Sequence, residues 1–89
     1  MSDPIVTQRL QLIPLHVDQL ELALQNIEAL ETSLNITIMR PWMTDRVRRA
    51  IGMKIDKMRK ADLSQHDWLT YWLIVIKEEN VGAGMLGFK

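Results

Sequence analysis

Hydrophobic positions change period along the chain, and each change predicts an element. The opening run "VTQRLQLIPL" alternates, has β-branched residues near its start, and closes on Pro14, which cannot donate to a ladder. A strand is predicted over residues 6–13. The next run, "HVDQLELALQNIEALETSLN", places Leu20, Leu24, Ile27, Leu30 and Leu34 at helical spacing, with Asp18 and Glu21 in the first turn where they complement the helix dipole. The pattern predicts one helix over 17–33, with His16 at its start and Asn35 as a left-handed stop. "ITIMRPWM" reads as a connector, because the residue before Pro41 is held extended.

Thr44 then offers an N-cap, with Asp45 behind it. Val47, Ile51, Ile55 and Met58 form one stripe, and Arg46, Arg49, Lys57 and Lys60 lie opposite, so a basic amphipathic helix is predicted over 44–60. Gly52 inside it costs about 1 kcal/mol against Ala, which leads one to expect a close packing contact there. "DLSQHD" reads as a polar loop. "WLTYWLIVIK" is apolar at nearly every position and predicts a strand covered on both faces. "EEN" turns the chain and "VGAGMLGFK" returns it as the second strand of a hairpin. The predicted architecture is a single α/β (α+β) domain over 1–89, in the order β-α-α-β-β.

Composition narrows the function classes. A chain of 89 residues supports one small domain. With no cysteine there are no disulfides or thiolate metal sites, and the usage fits a reducing, cytoplasmic setting. His16 and His66 are far apart, so no metal site is expected. The N-terminus lacks the pattern of a signal peptide, and the longest apolar stretch, Tyr71 to Ile76, is far short of the ~20 residues that span a bilayer. The formal net charge is zero, yet residues 36–60 hold eight Lys and Arg against two acids. This basic segment has a nucleic-acid reading and a plainer one, a solvated helix face; the plainer one is favoured.

Candidate chemistry is sparse. "GAGMLG" matches G-x-G-x-x-G through Gly82, Gly84 and Gly87, but the nucleotide reading needs a helix to open after it, and only Phe88 and Lys89 follow. A glycine-rich hairpin strand with a bulge or a close backbone approach is the favoured reading. Trp68, Tyr71 and Trp72 read as core in preference to base-stacking platforms. Trp42 has two readings of equal weight, a cap on the core or the lining of a ligand cleft. Neither histidine has a Ser or Cys arranged as a nucleophile, so no triad is indicated.

Two of these runs resemble a known family. Thr7, Arg9, Leu10, Leu12, Pro14 and Leu15 form a T-x-R-L-x-L-x-P-L run. It is similar to the opening of GNAT-superfamily N-acetyltransferases, and most of all to the subgroup typified by the ribosomal-protein alanine acetyltransferases. Val81, Gly82, Leu86, Gly87 and Phe88 resemble that family's third strand, V-G-x-x-x-L-G-F, after an apolar second strand. The resemblance implies the N-terminal half of a GNAT fold and acetyl transfer from acetyl-CoA to an amine. In that family a fourth strand and a Gln/Arg-x-x-Gly-x-Gly/Ala loop follow and hold the cofactor pyrophosphate. No such loop occurs in these 89 residues, so the resemblance implies no acetyl-CoA binding by this chain alone and assigns no catalytic residue. By position in the family, Trp42 and Met43 are the expected substrate-facing residues. The third strand, about residues 81–88, is expected to be an open edge that recruits either the missing C-terminal half or a second copy of the chain. A small dimerising module, or a weak nucleic-acid binder using the helix at 46–60, is the alternative function.

Overall fold

The computed structural model describes residues 4–87. Strand β1 (Ile5–Val6) turns into β2 (Leu10–Pro14), and helices α1 (Val17–Gln25) and α2 (Ile27–Leu34) follow. A short strand β3 (Thr37–Ile38) precedes the long helix α3 (Asp45–Arg59). A 3-10 turn at Leu63–Gln65 leads into α4 (His66–Leu69), and the hairpin of β4 (Tyr71–Ile76) and β5 (Val81–Gly87) closes the described chain. The five strands form one sheet in the order β1-β2-β4-β5-β3. Its pairs are antiparallel except β3 with β5, which run parallel. The α+β class and the terminal hairpin agree with the sequence pattern; the element count does not.

The core explains why the helices lie as they do. Leu73 and Val75 alternate onto one face of β4 and are fully buried. They share a single cluster with Leu20 and Ala23 of α1, Leu30 of α2, and Ile51, Ile55 and Met58 of α3. The helical stripes read from the sequence are thus the surface that covers this face. The opposite face carries Leu12 and Ile74 paired across β2 and β4, Leu10 paired with Ile76, and Leu86 paired with Trp72. Leu10 and Leu86 are 37% and 44% exposed, so cover on this second face, expected from the apolar run, is incomplete among the described residues.

Several expected boundaries move, each for a local reason. The single helix expected over 17–33 breaks at Asn26, whose φ of −157° is not helical. Its N–H still bonds Leu22 O at 2.7 Å, and its side chain accepts from Ala29 N at 3.2 Å, so one residue closes α1 and caps α2. The strand expected from residue 6 starts at Leu10, because Thr7 Oγ1 accepts the Leu10 N–H at 2.9 Å and folds residues 7–10 into a turn. The apolar run around Tyr71 is strand only from Tyr71 onward, since Trp68 and Leu69 belong to α4. Trp68 is 66% exposed and is not the core residue expected. Gly52 has nothing within 4 Å of where a Cβ would stand, so no close contact accounts for it.

Other expectations hold. Asn35 sits at φ 56° and terminates α2. Thr44 Oγ1 accepts from Val47 N at 3.3 Å and caps α3. His16 precedes α1, and its N–H donates to Gln19 Oε1 at 2.8 Å. The glycine strand is bulged: Ile74 faces Gly84 and Val75 faces Gly82, leaving Ala83 as the extra residue.

A polar clasp ties β3 to the helical layer. Glu31 Oε2 accepts from Ile38 N at 2.7 Å, and Arg40 meets the same carboxylate through both guanidinium nitrogens at 3.0 Å. Arg40 also donates to Ile38 O at 2.6 Å. The Arg40 hydrogen bond, then the Ile38 N–H, hold the Glu31 pKa below its ordinary value of 4.5. A carboxylate depressed by folding stabilises the native state above its unfolded pKa, and that stability is lost as pH falls through the lower folded value. The unfolding midpoint is therefore expected to drop as pH falls below about 4.5. In Glu31→Gln that portion of the drop should be absent, as urea titrations at stepped pH will show.

Candidate functional site

The connector after β3 is where helix and sheet leave room between them. Arg40 O accepts the Met43 N–H at 2.9 Å, which turns the chain so that Trp42 reaches back to the sheet. Trp42 Nε1 donates to Gly82 O at 3.1 Å, and the same carbonyl accepts from Met39 N at 3.0 Å. Gly82 can lie this close because a Cβ there would stand 3.3 Å from both Ile38 and Leu73. The expected open edge over 81–88 is thus corrected in part. β3 pairs with Val81 and Gly82, and the edge lacks a strand partner only beyond Gly82 among the described residues. Phe88 lies outside those residues.

From this corner a cleft of about 410 Å³ runs between α3 and the sheet. One wall is Trp42 with Arg46, Val47 and Ala50, which helical spacing sets on one side of α3 beside the core stripe. The other is Tyr71 of β4 with Gly84 and Met85 of β5. Lys54, one turn past Ala50, holds its ammonium 5.2 Å from the centroid of the Tyr71 ring. Burial, then the nearby charge of Lys57, pushes the Lys54 pKa down. Gly87 keeps this arrangement open, because a Cβ there would stand 2.8 Å from Tyr71 Cε1. Met43 is not among the lining residues; it packs against the core cluster. Of the two residues expected to face a substrate, the cleft receives Trp42.

The lining has a definite chemistry. It is mostly apolar, with Arg46 as its charged member. Among the described residues no His, Asp, Glu, Ser or Cys lines it, so apart from the Tyr71 hydroxyl it offers binding surface and positive charge. A larger hollow of about 610 Å³ lies between α1 and α3, but charges of both signs line it, and Glu21 and Arg59 form an ion pair across it. The larger volume therefore carries less recognition chemistry. No group of three His, Cys, Asp or Glu able to hold a metal occurs among the described residues. No described helix is long and apolar enough to cross a membrane.

No family model, curated protein or solved structure matches the chain.

The basic helix is partly occupied with holding the fold together. Arg48 donates to Leu24 O at 2.6 Å, satisfying a carbonyl at the end of α1, and Arg59 pairs with Glu21. Those two cations read as fasteners between α1 and α3. Gly84, Tyr71 and Arg46 each enter a separate sequence reading, as phosphate motif, stacking platform and basic helix, and Val47, Ala50 and Met85 enter none as a site; nothing in the sequence joins the six. Their common surface exists only once β5 returns beside β4 under α3.

Proposed function

We propose that residues 1–89 form the acceptor-binding half of a GNAT-type N-acetyltransferase. Agreement between motif and ladder carries this reading. The T-x-R-L-x-L-x-P-L run occupies β2 and its approach, the V-G-x-x-x-L-G run occupies β5, and both flank β4 in one antiparallel arrangement. The helices between the two motifs cover one face of that sheet and bring Trp42 to its edge.

In the reaction so assigned, a neutral amine attacks the thioester carbonyl of acetyl-CoA, an N–C bond forms as the C–S bond breaks, and the proton lost by nitrogen passes through a base or water to the departing thiolate, which leaves as the CoA thiol. The chain's own residues supply the acceptor wall: Trp42 and Met85 cover the apolar body, and Arg46 sets the local charge. No lining residue is assigned to the proton transfer or to the oxyanion, which require a positioned base and donors. The cofactor grip is also lacking here, because no Gln/Arg-x-x-Gly-x-Gly/Ala loop occurs in the 89 residues. The reading places the protein in the cytoplasm, where acetyl-CoA and new amino termini meet.

Calorimetric titration with acetyl-CoA tests the division of labour. The 89-residue chain is expected to give no saturable heat. Micromolar binding would overturn the reading and return Gly82, Gly84 and Gly87 to a phosphate-holding role. The companion arm titrates the same 89-residue chain with short peptides that bear a free amino terminus and follows the Trp42 indole N–H and the Met85 amide. Saturable shifts at both are expected, and their absence counts against an acceptor-binding role.

A further inference from the structure

The electrostatics of the cleft point to what it takes. Every element around it contributes either an apolar group or a cation. The connector gives Trp42; α3 gives Arg46, Val47 and Ala50, with Lys54 one turn on; β4 and β5 give Tyr71, Gly84 and Met85. Asp45, the nearest acid in sequence, is exposed in the first turn of α3 and does not line the cleft. Arg49 adds a further cation on the same helix, beside Arg46 around Ala50 and Met53. Among the described residues Arg46 has no hydrogen-bond or ion-pair partner, so its guanidinium is available to a ligand.

We infer that this cleft binds a molecule with an apolar or aromatic body and an anionic group, the anion held by Arg46 and the body lying between Trp42, Val47, Tyr71 and Met85. The inference rests on the acceptor-side reading in one respect only, that the bound molecule also carries the amine to be acetylated. Guanidinium binds a carboxylate through paired, charge-assisted hydrogen bonds, which fix the orientation of the bound group as well as attract it. Eight residues separate Arg46 from Lys54, about 12 Å along the helix axis. An acceptor anchored by its anion at Arg46 thus extends toward a second positive charge. There the cationic form of its amine is disfavoured and the neutral, nucleophilic form is favoured. The volume of about 410 Å³ is ample for the first residues of a peptide. The substrate class indicated is a peptide whose leading residues include an acid, since a free amino acid carries its carboxylate and amine too close together to span the two cations.

Matched indoles provide the probe, because they hold the aromatic body constant while the charge changes. Indole-3-acetate, 3-methylindole and tryptamine would be titrated into the full 89-residue chain and followed by proton–nitrogen correlation spectra. Indole-3-acetate is expected to bind roughly tenfold more tightly than tryptamine, the value of one good ion pair. Its shifts should map to the Trp42 indole N–H and to the amides of Val47, Gly84 and Met85. Arg46→Gln should erase the preference and Arg46→Lys should keep part of it; Arg46 is exposed, so the fold survives either change. Equal or tighter binding of tryptamine, a preference that persists in Arg46→Gln, shifts that gather around Met53 in the α1–α3 hollow, or no binding of any indole would each overturn the inference. The acceptor-side reading fails on different grounds, absence of any response at Trp42 and Met85 to peptides with a free amino terminus. A charge preference without that response would leave the cleft a binding site for anions, and the response without the preference would leave an acceptor of another class.

Discussion

Leu73→Ala is expected to remove most of the chain's stability, so that the cooperative urea transition is lost or displaced to very low denaturant. Leu73 is fully buried at the centre of the sheet, paired with Ile13 on one side and Met85 on the other. Its Cδ1 also lies 3.3 Å from where a Cβ on Gly82 would stand, so it fills the space left by that glycine in β5. Truncating a buried leucine costs roughly 2–5 kcal/mol, the upper values applying where neighbours cannot collapse into the hole. Here the neighbours are backbone-anchored strands. A domain of this length has roughly 4–13 kcal/mol in total, and a sheet with one poorly covered face belongs toward the lower end. Leu63→Ala is the control: Leu63 is 76% exposed, and the midpoint should hold within about 0.5 kcal/mol. Circular dichroism during urea titration reads both variants, and a Leu73→Ala loss below about 1 kcal/mol would show that this core is looser than its packing implies.

Self-association is the second large effect expected. Leu10 and Leu86 stand well exposed on the open sheet face, with half-buried Leu12, Ile74, Ile76 and Val81 between them. Beyond Gly82 the outer side of β5 has no strand partner among the described residues, and residues 83–87 carry no charge to discourage one. Two copies meeting antiparallel about a two-fold axis would pair these edges and adjoin their apolar faces. Sedimentation equilibrium should give a mass that rises with concentration. Arg46 and Lys54 flank the same edge, so added salt should tighten the association by screening their repulsion. Leu86→Lys places a charge on the exposed face of the edge strand and should shift the chain toward monomer. A wild-type monomer at every concentration, with slow-exchanging amides at 84–86, would mean that the edge is closed within one chain.

What was legible in the sequence is what periodicity and local caps encode. The stripes Leu20–Leu30 and Ile51–Met58 are core because a one-sided helix must bury its apolar side, and the structure buries both. Asn35, Thr44 and His16 mark helix ends through their own side-chain or backbone chemistry, which acts within three residues. The break at Asn26 was not legible, because the apolar phase resumes at Ile27 as if no residue had left the helix. Nor was β3, a two-residue strand whose partner lies more than forty positions away. Trp68 misled because only Thr70 separates α4 from β4, so the apolar run reads straight through the helix end. For the site, Trp42 stood out by its place after Pro41, but its two readings could not be separated. The indole packs against the core cluster, donates to Gly82 O and also lines the cleft; a ligand there is the proposal made above.

The account's central claim is that the corner held by Trp42 serves an amine acceptor. Titrating the 89-residue chain, Trp42→Phe and Trp42→Ala with a short peptide that bears a free amino terminus tests it most directly. Trp42→Phe loses the bond to Gly82 O and keeps an aromatic wall; Trp42→Ala loses both. Kd for the peptide is expected to rise about tenfold or more in Trp42→Ala, roughly 1.4 kcal/mol, and less in Trp42→Phe. An unchanged Kd in Trp42→Ala, or no saturable binding by the unaltered chain, would contradict it.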